Sequence, residues 1–415
     1  MLRIKVVCEI LVIFLMISIL TGCWDREELE DRAYVIGIGL DRSEHKGKIQ
    51  VTMLLANPEV GSVQGGGGSP EKPREIISFD ANDIIAAKGT VNSIISRIIS
   101  YDLLKIIVVS EELARDSRFT SIIYDIINDK EIRMNAYLAV SNEKASEYFL
   151  KNKPRMETRP HKYYQYMIHH GIENGLIPDS TLFRFFTTLE RGSDLFLAMN
   201  TAAKREKSPR YKSEDEYTAG QVEASGEFDD TQFIGSAVFK DGVMVGKING
   251  LETVLANVLD DSTNIKDLLV DVPNPFPGRR KQIAVRLMKR EKNKVKMDLK
   301  GERPQIFITI PLRVVLMTNP SKVDFSEKRN QEIIKKAIKT HTENLYEKLL
   351  LHTQKEYKEA PYPLSFYARK YFGTIQEFEK FNWAKKYQNA VIHMKSEIKI
   401  IDYGKKQSEI DKGEK

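Results

Sequence analysis

Cysteine is nearly absent from this chain. Cys8 and Cys23 are the two cysteines among 415 residues. From Trp24 onward there is no thiol, so neither a disulfide framework nor a cysteine-based catalytic or zinc site can be built there. A chain of this length buries enough core to do without disulfides. Long hydrophobic runs are lacking too. Ile10 to Leu20 is about 11 residues, apolar apart from Ser18, whereas a bilayer-spanning helix needs about 20. Histidine occurs 7 times without a metal-binding pattern. His169 and His170 are adjacent and diverge by about 100° on a helix, and His161 lies two turns from His169, so neither pairing faces one ion. No serine sits in a G-x-S-x-G elbow. Acidic pairs such as Glu111-Glu112 and Asp260-Asp261 read as solvated surface.

What is there begins at the amino terminus. Arg3 and Lys5 precede the apolar run, which has the size of a signal-peptide core. The run ends in Leu20-Thr21-Gly22-Cys23, and this resembles a bacterial lipobox. In such a motif the cysteine thiol takes a diacylglyceryl group, and cleavage makes that cysteine residue one. A single myristoyl chain anchors only marginally, at about 0.8 kcal/mol per buried methylene, so two chains imply stable attachment. The net charge of +6 is modest for the length. It permits attraction to an anionic membrane face and does not point to nucleic acid.

After a short acidic stretch, Ala33 to Asp41 and Lys48 to Ala56 read as two strands of a hairpin. Gly37-x-Gly39 is the start of a dinucleotide fingerprint, but the third glycine would fall at Arg42 and no helix follows. Close strand packing is the better reading. Four consecutive glycines in GGGGSPEKP, within 57–73, read as a mobile loop. Between Glu75 and Leu150, strands alternate with helices: Ile76 to Phe79, a helix from Ile84 to Ile98 capped by Asp80 or Asn82, Leu103 to Ser110, a helix from Phe119 to Ile127, Ala136 to Val140, and a short helix from Glu143. This is an α/β pattern. Helices follow at Tyr163 to His170 and Leu182 to Leu189, then a strand near Leu195 to Met199.

The 203–230 stretch is rich in Lys, Glu, Ser and Gly, and the main domain boundary is expected there. Beyond it, Asp241-Gly242 joins two apolar runs as a hairpin turn. Asn249 should cap a helix from Leu251 to Leu259. Strands are expected at Ile283 to Met288, Val295 to Leu299 and Ile306 to Met317. A long amphipathic helix between Glu327 and Tyr357 places Ile334, Ile338, His341, Leu345, Leu349 and His352 on one stripe. A last strand runs from about Asn389 to Ile401, and the Lys-rich end reads as frayed.

Several blocks resemble the Ger(x)C lipoproteins, the C-subunit family of spore germinant receptors. They are GCWDREELEDRAYVIGIGLD, SRIISYDLLKIIVVSEELARDS with NDKEIRMNAYLAVSNEKASEYF, GSAVFKDGVMVGKINGLETV, and the region around Phe381-Asn382-Trp383. They follow the family's order across nearly the whole chain. Here Glu252-Thr253 leads into Val254-Leu255, where family members often carry Arg-Gly.

The resemblance implies an α+β lipoprotein of three domains, with mixed sheets, flanking helices and the long helix in the last domain. The expected boundaries are a signal peptide at 1–22, a first α+β domain at 23–75 completed by 176–202, an α/β domain at 76–175, a linker at 203–230, a C-terminal α+β domain at 231–404 and a disordered tail at 405–415. It also implies attachment to the outer face of the inner spore membrane and assembly with a membrane-embedded A subunit and a transporter-like B subunit. The complex would answer a nutrient germinant. The family supplies no catalytic residues, and no cofactor or metal is expected.

Two stretches are candidate interfaces. Lys292, Lys294 and Lys296 belong to the densest basic tract, Arg279 to Lys300, which would meet anionic headgroups or an acidic partner. Asn249, Gly250 and Glu252 form either a capping box or a contact loop. The rival reading is a solute-binding lipoprotein that delivers a small nutrient to a transporter. Such proteins usually have two similar lobes, and the two halves of this sequence differ in pattern.

Overall fold

The structure, a computed structural model, describes residue 11 and residues 31–56, 74–206, 216–263, 265–278 and 280–404. The expected leader apart from residue 11, Leu20-Thr21-Gly22-Cys23, the glycine-rich loop, Arg279 and the Lys-rich end lie outside the described residues.

The first half builds a nine-stranded mixed sheet. Its strands are β1 (Arg32–Arg42), β2 (Ile49–Ala56), β3 (Arg74–Ala81), β4 (Ile98–Ser100), β5 (Ile106–Ser110), β6 (Tyr137–Ser141), β7 (Phe196–Ala202), β8 (Gln232–Lys240) and β9 (Val243–Ile248). The spatial order is β3-β2-β1-β5-β6-β7-β8-β9, with β4 pairing β1 beside β5. The strands β1, β5, β6 and β7 run parallel, and antiparallel hairpins finish both edges.

Helices cover both faces of this sheet, which is why β5 reads IIVVS and is buried throughout. On one face lie α1 (Ile84–Val91), α2 (Glu111–Ala114), α3 (Phe119–Tyr124) and, further along, α6 (Leu182–Arg191). Phe119, Phe185, Phe196 and Phe239 cluster there. On the other face α4 (Ala145–Lys151) and α5 (Pro160–Glu173) bury Tyr148, Phe149, Tyr164 and Ile168.

The motif VIGIGLD belongs to that second face. Alternate residues of a strand share a face, so Gly37, Gly39 and Asp41 point the same way. A Cβ on Gly37 would stand 2.9 Å from the Phe149 ring, and one on Gly39 would stand 3.1 Å from the Ala145 Cβ. Asp41, fully buried, accepts from the backbone N–H groups of Ala145 at 2.7 Å and Ser146 at 2.9 Å. The two glycines admit α4, and the aspartate satisfies its first N–H groups. The close-packing reading of the glycines therefore fits their place in the fold.

The second half forms α7 (Gly250–Leu259) and a five-stranded sheet of β10 (Leu268–Pro273), β11 (Gln282–Lys289), β12 (Lys294–Asp298), β13 (Gln305–Leu316) and β14 (Val391–Asp402). The long α8 (Lys328–Glu356) and the short α9 (Leu364–Arg369), α10 (Ile375–Phe381) and α11 (Trp383–Gln388) accompany it. β14 takes one edge of β13 in parallel, so β11 and β12 share the other. They run as one interrupted strand, with Lys289 opposite Leu312 and Lys294 opposite Thr309. Residues 290–293 form the break, beside Pro311, which has no N–H to offer a ladder. One face of this sheet packs on α8 and the other meets solvent. The alternating burial of β10 and β13 records that asymmetry.

The α+β class, the mixed sheets and the long helix are as expected. The divisions within the chain differ. β1 pairs directly with β5 (Gly37 opposite Ile106), so the two domains expected at 23–75 and 76–175 share one sheet. The 231–248 hairpin, expected to open the last domain, is the edge of that same sheet, with Phe196 opposite Phe239. The described part of the 203–230 stretch is exposed at 204–206 and 223–228 but packs against the first sheet around residue 219. Ala219 is buried and donates its N–H to the Ile234 carbonyl, and the Gln232 side chain accepts from the Gly220 N–H.

Candidate interaction site

The two sheets meet along a seam built around α7. Its approach is local chemistry. Asp241 and Gly242 take positive φ, 50° and 80°, the geometry of a tight hairpin turn. β9 then delivers Asn249, whose side chain accepts from the Glu252 N–H at 2.9 Å while Glu252 accepts from the Asn249 N–H at 3.1 Å. This is a complete capping box. The second Glu252 oxygen lies 2.7 Å from His352 Nδ1 on α8. Gly250 is buried and donates its N–H to the Tyr217 carbonyl. Asn249, Gly250 and Glu252 are therefore spent inside the chain, joining β9, α7 and α8. Of the two readings of the sequence, the capping box is the one their geometry displays.

Further along the seam, Asp194 follows the left-handed Gly192 cap of α6. Its carboxylate accepts from the Ser365 N–H at 3.1 Å and from the Ser365 hydroxyl. Burial pushes the Asp194 carboxyl up to about 7, against the pull of Ser365 and Arg191. Arg184 of α6 reaches Asp260 at 2.7 Å, Asp179 at 3.2 Å and the Ser262 hydroxyl at 2.7 Å. Burial disfavours charge on both Arg184 and Asp260, and their mutual attraction outweighs it, raising the one and lowering the other. These groups border a cleft of about 390 Å³ that also takes in Thr187, Arg191, Thr263 and Tyr362. The buried Tyr362 hydroxyl and one Asp179 oxygen have no hydrogen-bond partner among the described residues. Sequence reading missed this cluster. Its members are scattered between residues 179 and 365, and no local spacing announces them.

Of the acidic pairs, Glu112 is the exposed surface expected, whereas Glu111, Asp260 and Asp261 are drawn inward. Glu111 forms an ion pair with Lys247 of β9 and another with Arg115. Asp261 holds Lys289 at 2.6 Å, with the lysine side chain 9% exposed. Lys289 and Asn293 also donate to carbonyls at the C-terminal end of α7, where a cation is favoured. The basic tract therefore divides. Lys289 is structural, whereas Lys292, Lys294 and Lys296 are exposed. Lys294 pairs with Glu397 at 3.0 Å, and Lys296 stands opposite Phe307, whose ring stacks on His393 at 4.7 Å. Cys23 and its Leu20-Thr21-Gly22 approach lie outside the described residues. Among the described residues no helix is long and apolar enough to cross a membrane, and no cluster of His, Cys, Asp and Glu could hold a metal ion.

Two family models match. One, described as a spore germination protein N-terminal domain, matches residues 25–201. The other, described as spore germination B3/GerAC like, C-terminal, matches residues 234–404. The gap between them, 202–233, takes in the whole 203–230 stretch, although the β8–β9 hairpin beyond that stretch pairs with the first sheet. Spore germination protein B3 of Bacillus subtilis (strain 168) is 22% identical over 412 residues, covering 96% of this chain and 99% of B3. Spore germination protein KC of the same strain is 28% identical over 147 residues, covering 35% of this chain and 36% of KC. The crystal structure of the GerBC protein shares the fold, with a TM-score of 0.52 at 16% identity, covering 91% of this chain and all of that one.

Proposed function

This chain belongs to the Ger(x)C family of spore germination proteins, and from that premise we propose that it is the lipid-anchored C subunit of a nutrient germinant receptor. A role in spore germination follows from the family. The finer reading is that Cys23 carries two acyl chains on the outer face of the inner spore membrane. The body then acts without catalysis of its own, through contacts with membrane-embedded A and B subunits. The observation that carries it is the match of both halves of the chain, in order, to the two spore germination models. The exposed Lys292, Lys294 and Lys296 are offered as a contact for an acidic partner or anionic headgroups.

The test is a pull-down from dormant-spore membranes, comparing the wild type with Cys23→Ala. The wild type should bring down two polytopic partners, and the variant should be lost from the membrane. A variant that stays bound with both partners would overturn the anchor. A wild type that brings down none would overturn the assembly.

The seam cleft favours a second reading, in which this chain captures a small polar nutrient for a transporter. Against it, the two sheets differ in strand number and order, unlike paired lobes closing on a ligand. Calorimetry of the purified chain against amino acids, sugars and nucleosides separates the two. Tight stoichiometric binding would favour the second.

A further inference from the structure

We infer that the end of the first sheet from which β1 begins carries an apolar patch that rests on the bilayer. The inference depends on the reading of Cys23 as the lipid anchor, and goes beyond it by naming which surface the anchor presses down.

The strands fix the geometry. β1 and β4 run parallel with Arg32 opposite Ile98, so Ile98 lies level with the very start of β1. The 101–105 loop joins β4 to β5 along the same side of β1, with the Lys105 N–H on the Ile36 carbonyl. The 125–136 segment comes back to this end as well. The Tyr137 N–H at the start of β6 reaches the Lys105 carbonyl, and Glu131 accepts from the Tyr101 N–H. The residues between α1 and β4 complete the group, with the Asn92 side chain accepting from the Ile99 N–H.

Large apolar side chains face outward from these segments. Ile94 is 60% exposed, Ile98 55%, Ile127 45% and Leu103 42%. Single exposed isoleucines are ordinary, but a group of them at one end of a sheet marks an interaction site. The polar surroundings carry both signs, with Asp31 exposed next to the start of β1. Asp102 and Glu131 are held in ion pairs by Arg32 and Lys88, while Lys130 and Arg133 are exposed. Cations beside an apolar patch favour anionic headgroups.

Chain length selects the occupant. Nine peptide units separate Cys23 from Arg32. At no more than about 3.6 Å each they span about 30 Å even when fully extended. A body fastened by that tether keeps this end nearest the acyl chains, and the bilayer is the surface always within its reach.

The cysteine count makes the test clean. In the mature lipoprotein Cys23 is blocked, so one introduced cysteine is the only reactive thiol. Three variants of the mature, full-length protein are made: Ile98→Cys, Leu103→Cys, and Lys46→Cys in the β1–β2 turn at the opposite end of β1. Each is labelled with a fluorophore and reconstituted in phosphatidylglycerol and phosphatidylethanolamine vesicles that carry a shallow lipid-borne quencher. Quenching at 98 and 103 should exceed that at 46 several-fold. Equal quenching at all three sites, with lipid on Cys23 confirmed by mass spectrometry, overturns the patch and leaves the anchor standing. An unmodified Cys23 overturns the anchor and the patch with it. Shielding at 98 and 103 that appears only when membrane subunits are co-reconstituted makes the patch a protein interface and overturns the bilayer contact.

Discussion

The Asp194 carboxylate, at the end of the helix that flanks the first sheet, is held by both the N–H and the hydroxyl of Ser365, 171 residues further along the chain. Asp194 itself forms a parallel bridge with Ala360, and Lys240 of β8 pairs with Glu359. These contacts lock the two sheets together at one point. The Asp194 carboxyl is also out of line with its usual range, and that makes the seam sensitive to pH.

The sign follows from linkage. In the unfolded chain an aspartate ionises near pH 4, whereas burial holds Asp194 protonated up to about 7. Between those values the folded state binds more protons than the unfolded one. This contribution to stability is fully present below about pH 4 and is lost as pH rises through 7. The neighbouring Glu359, also raised by burial, acts in the same direction. Asp194→Asn mimics the neutral acid and should flatten the profile, so the variant gains on the wild type as pH rises from 4.5 to 8, by an amount on the order of a few kcal/mol. Urea midpoints at the two pH values measure it. A constant offset between variant and wild type would show that Asp194 does not titrate in this window.

A second prediction concerns β1. Gly37, Gly39 and Asp41 together seat α4, so each should be intolerant for its own reason. Gly37→Ala forces a methyl against the Phe149 ring, and Gly39→Ala forces one between Thr52 and Ala145. Overpacking of this kind costs about 1–3 kcal/mol. Asp41→Ala leaves two helix N–H groups without their acceptor and should cost about 1–3 kcal/mol. Combining Gly37→Ala with Phe149→Leu should recover part of the loss, because the obstructing ring is then gone. Chemical denaturation of the four proteins gives the coupling, and strict additivity would remove Phe149 from the explanation.

What could be read from the sequence was whatever depends on near neighbours. The Asp241-Gly242 turn, the Asn249 cap and the buried IIVVS strand each carry their cause within a few residues. Pairings between distant segments carry no such mark, so nothing local shows that β1 lies beside β5 or that the 231–248 hairpin joins the first sheet. The missed strand Leu268–Pro273 hides its alternation because the outward Leu269 is apolar. The six-residue α9 and α11 are too short to show a helical period, whereas the Thr374–Glu377 capping box of α10 was a local mark that went unread.

Local detail also competes with pattern. The expected cap at Asp80 or Asn82 is in fact Asp83, which accepts from the Ala86 N–H, and α1 ends at Val91 because residues 98–100 are needed as a strand. The expected stripe on α8 steps by three or four residues, an average of about 3.6, the period of a straight helix. Burial instead steps by four from Ile334 to Leu350, which turns the line gradually around the helix. The buried line therefore runs through Thr342, Tyr346, Leu350 and Thr353 instead of His341, Leu345 and His352. Thr342 and Thr353 hide their hydroxyls on the Ile338 and Leu350 carbonyls, which is how polar residues enter a buried face.

The last prediction separates the two tasks of Glu252. One oxygen closes the capping box on the Asn249 N–H, and the other meets His352 across to α8. Asn249→Ala removes the cap alone and should cost about 1 kcal/mol. His352→Ala removes the bridge alone. Glu252→Ala removes both, so its cost should exceed that of His352→Ala by roughly the value of the lost box, about 0.5–1.5 kcal/mol for one hydrogen bond. In a double-mutant cycle, Glu252→Ala with His352→Ala should fall short of the sum of the single changes, since the bridge can be lost only once. The group is half-exposed, with side-chain exposures of 35% for His352 and 22% for Glu252, so the coupling should be small and should shrink with added salt. A coupling that vanishes at low salt would mean that α7 is held against α8 by packing, while Tyr357 at the end of α8 still donates to the Lys247 carbonyl of β9.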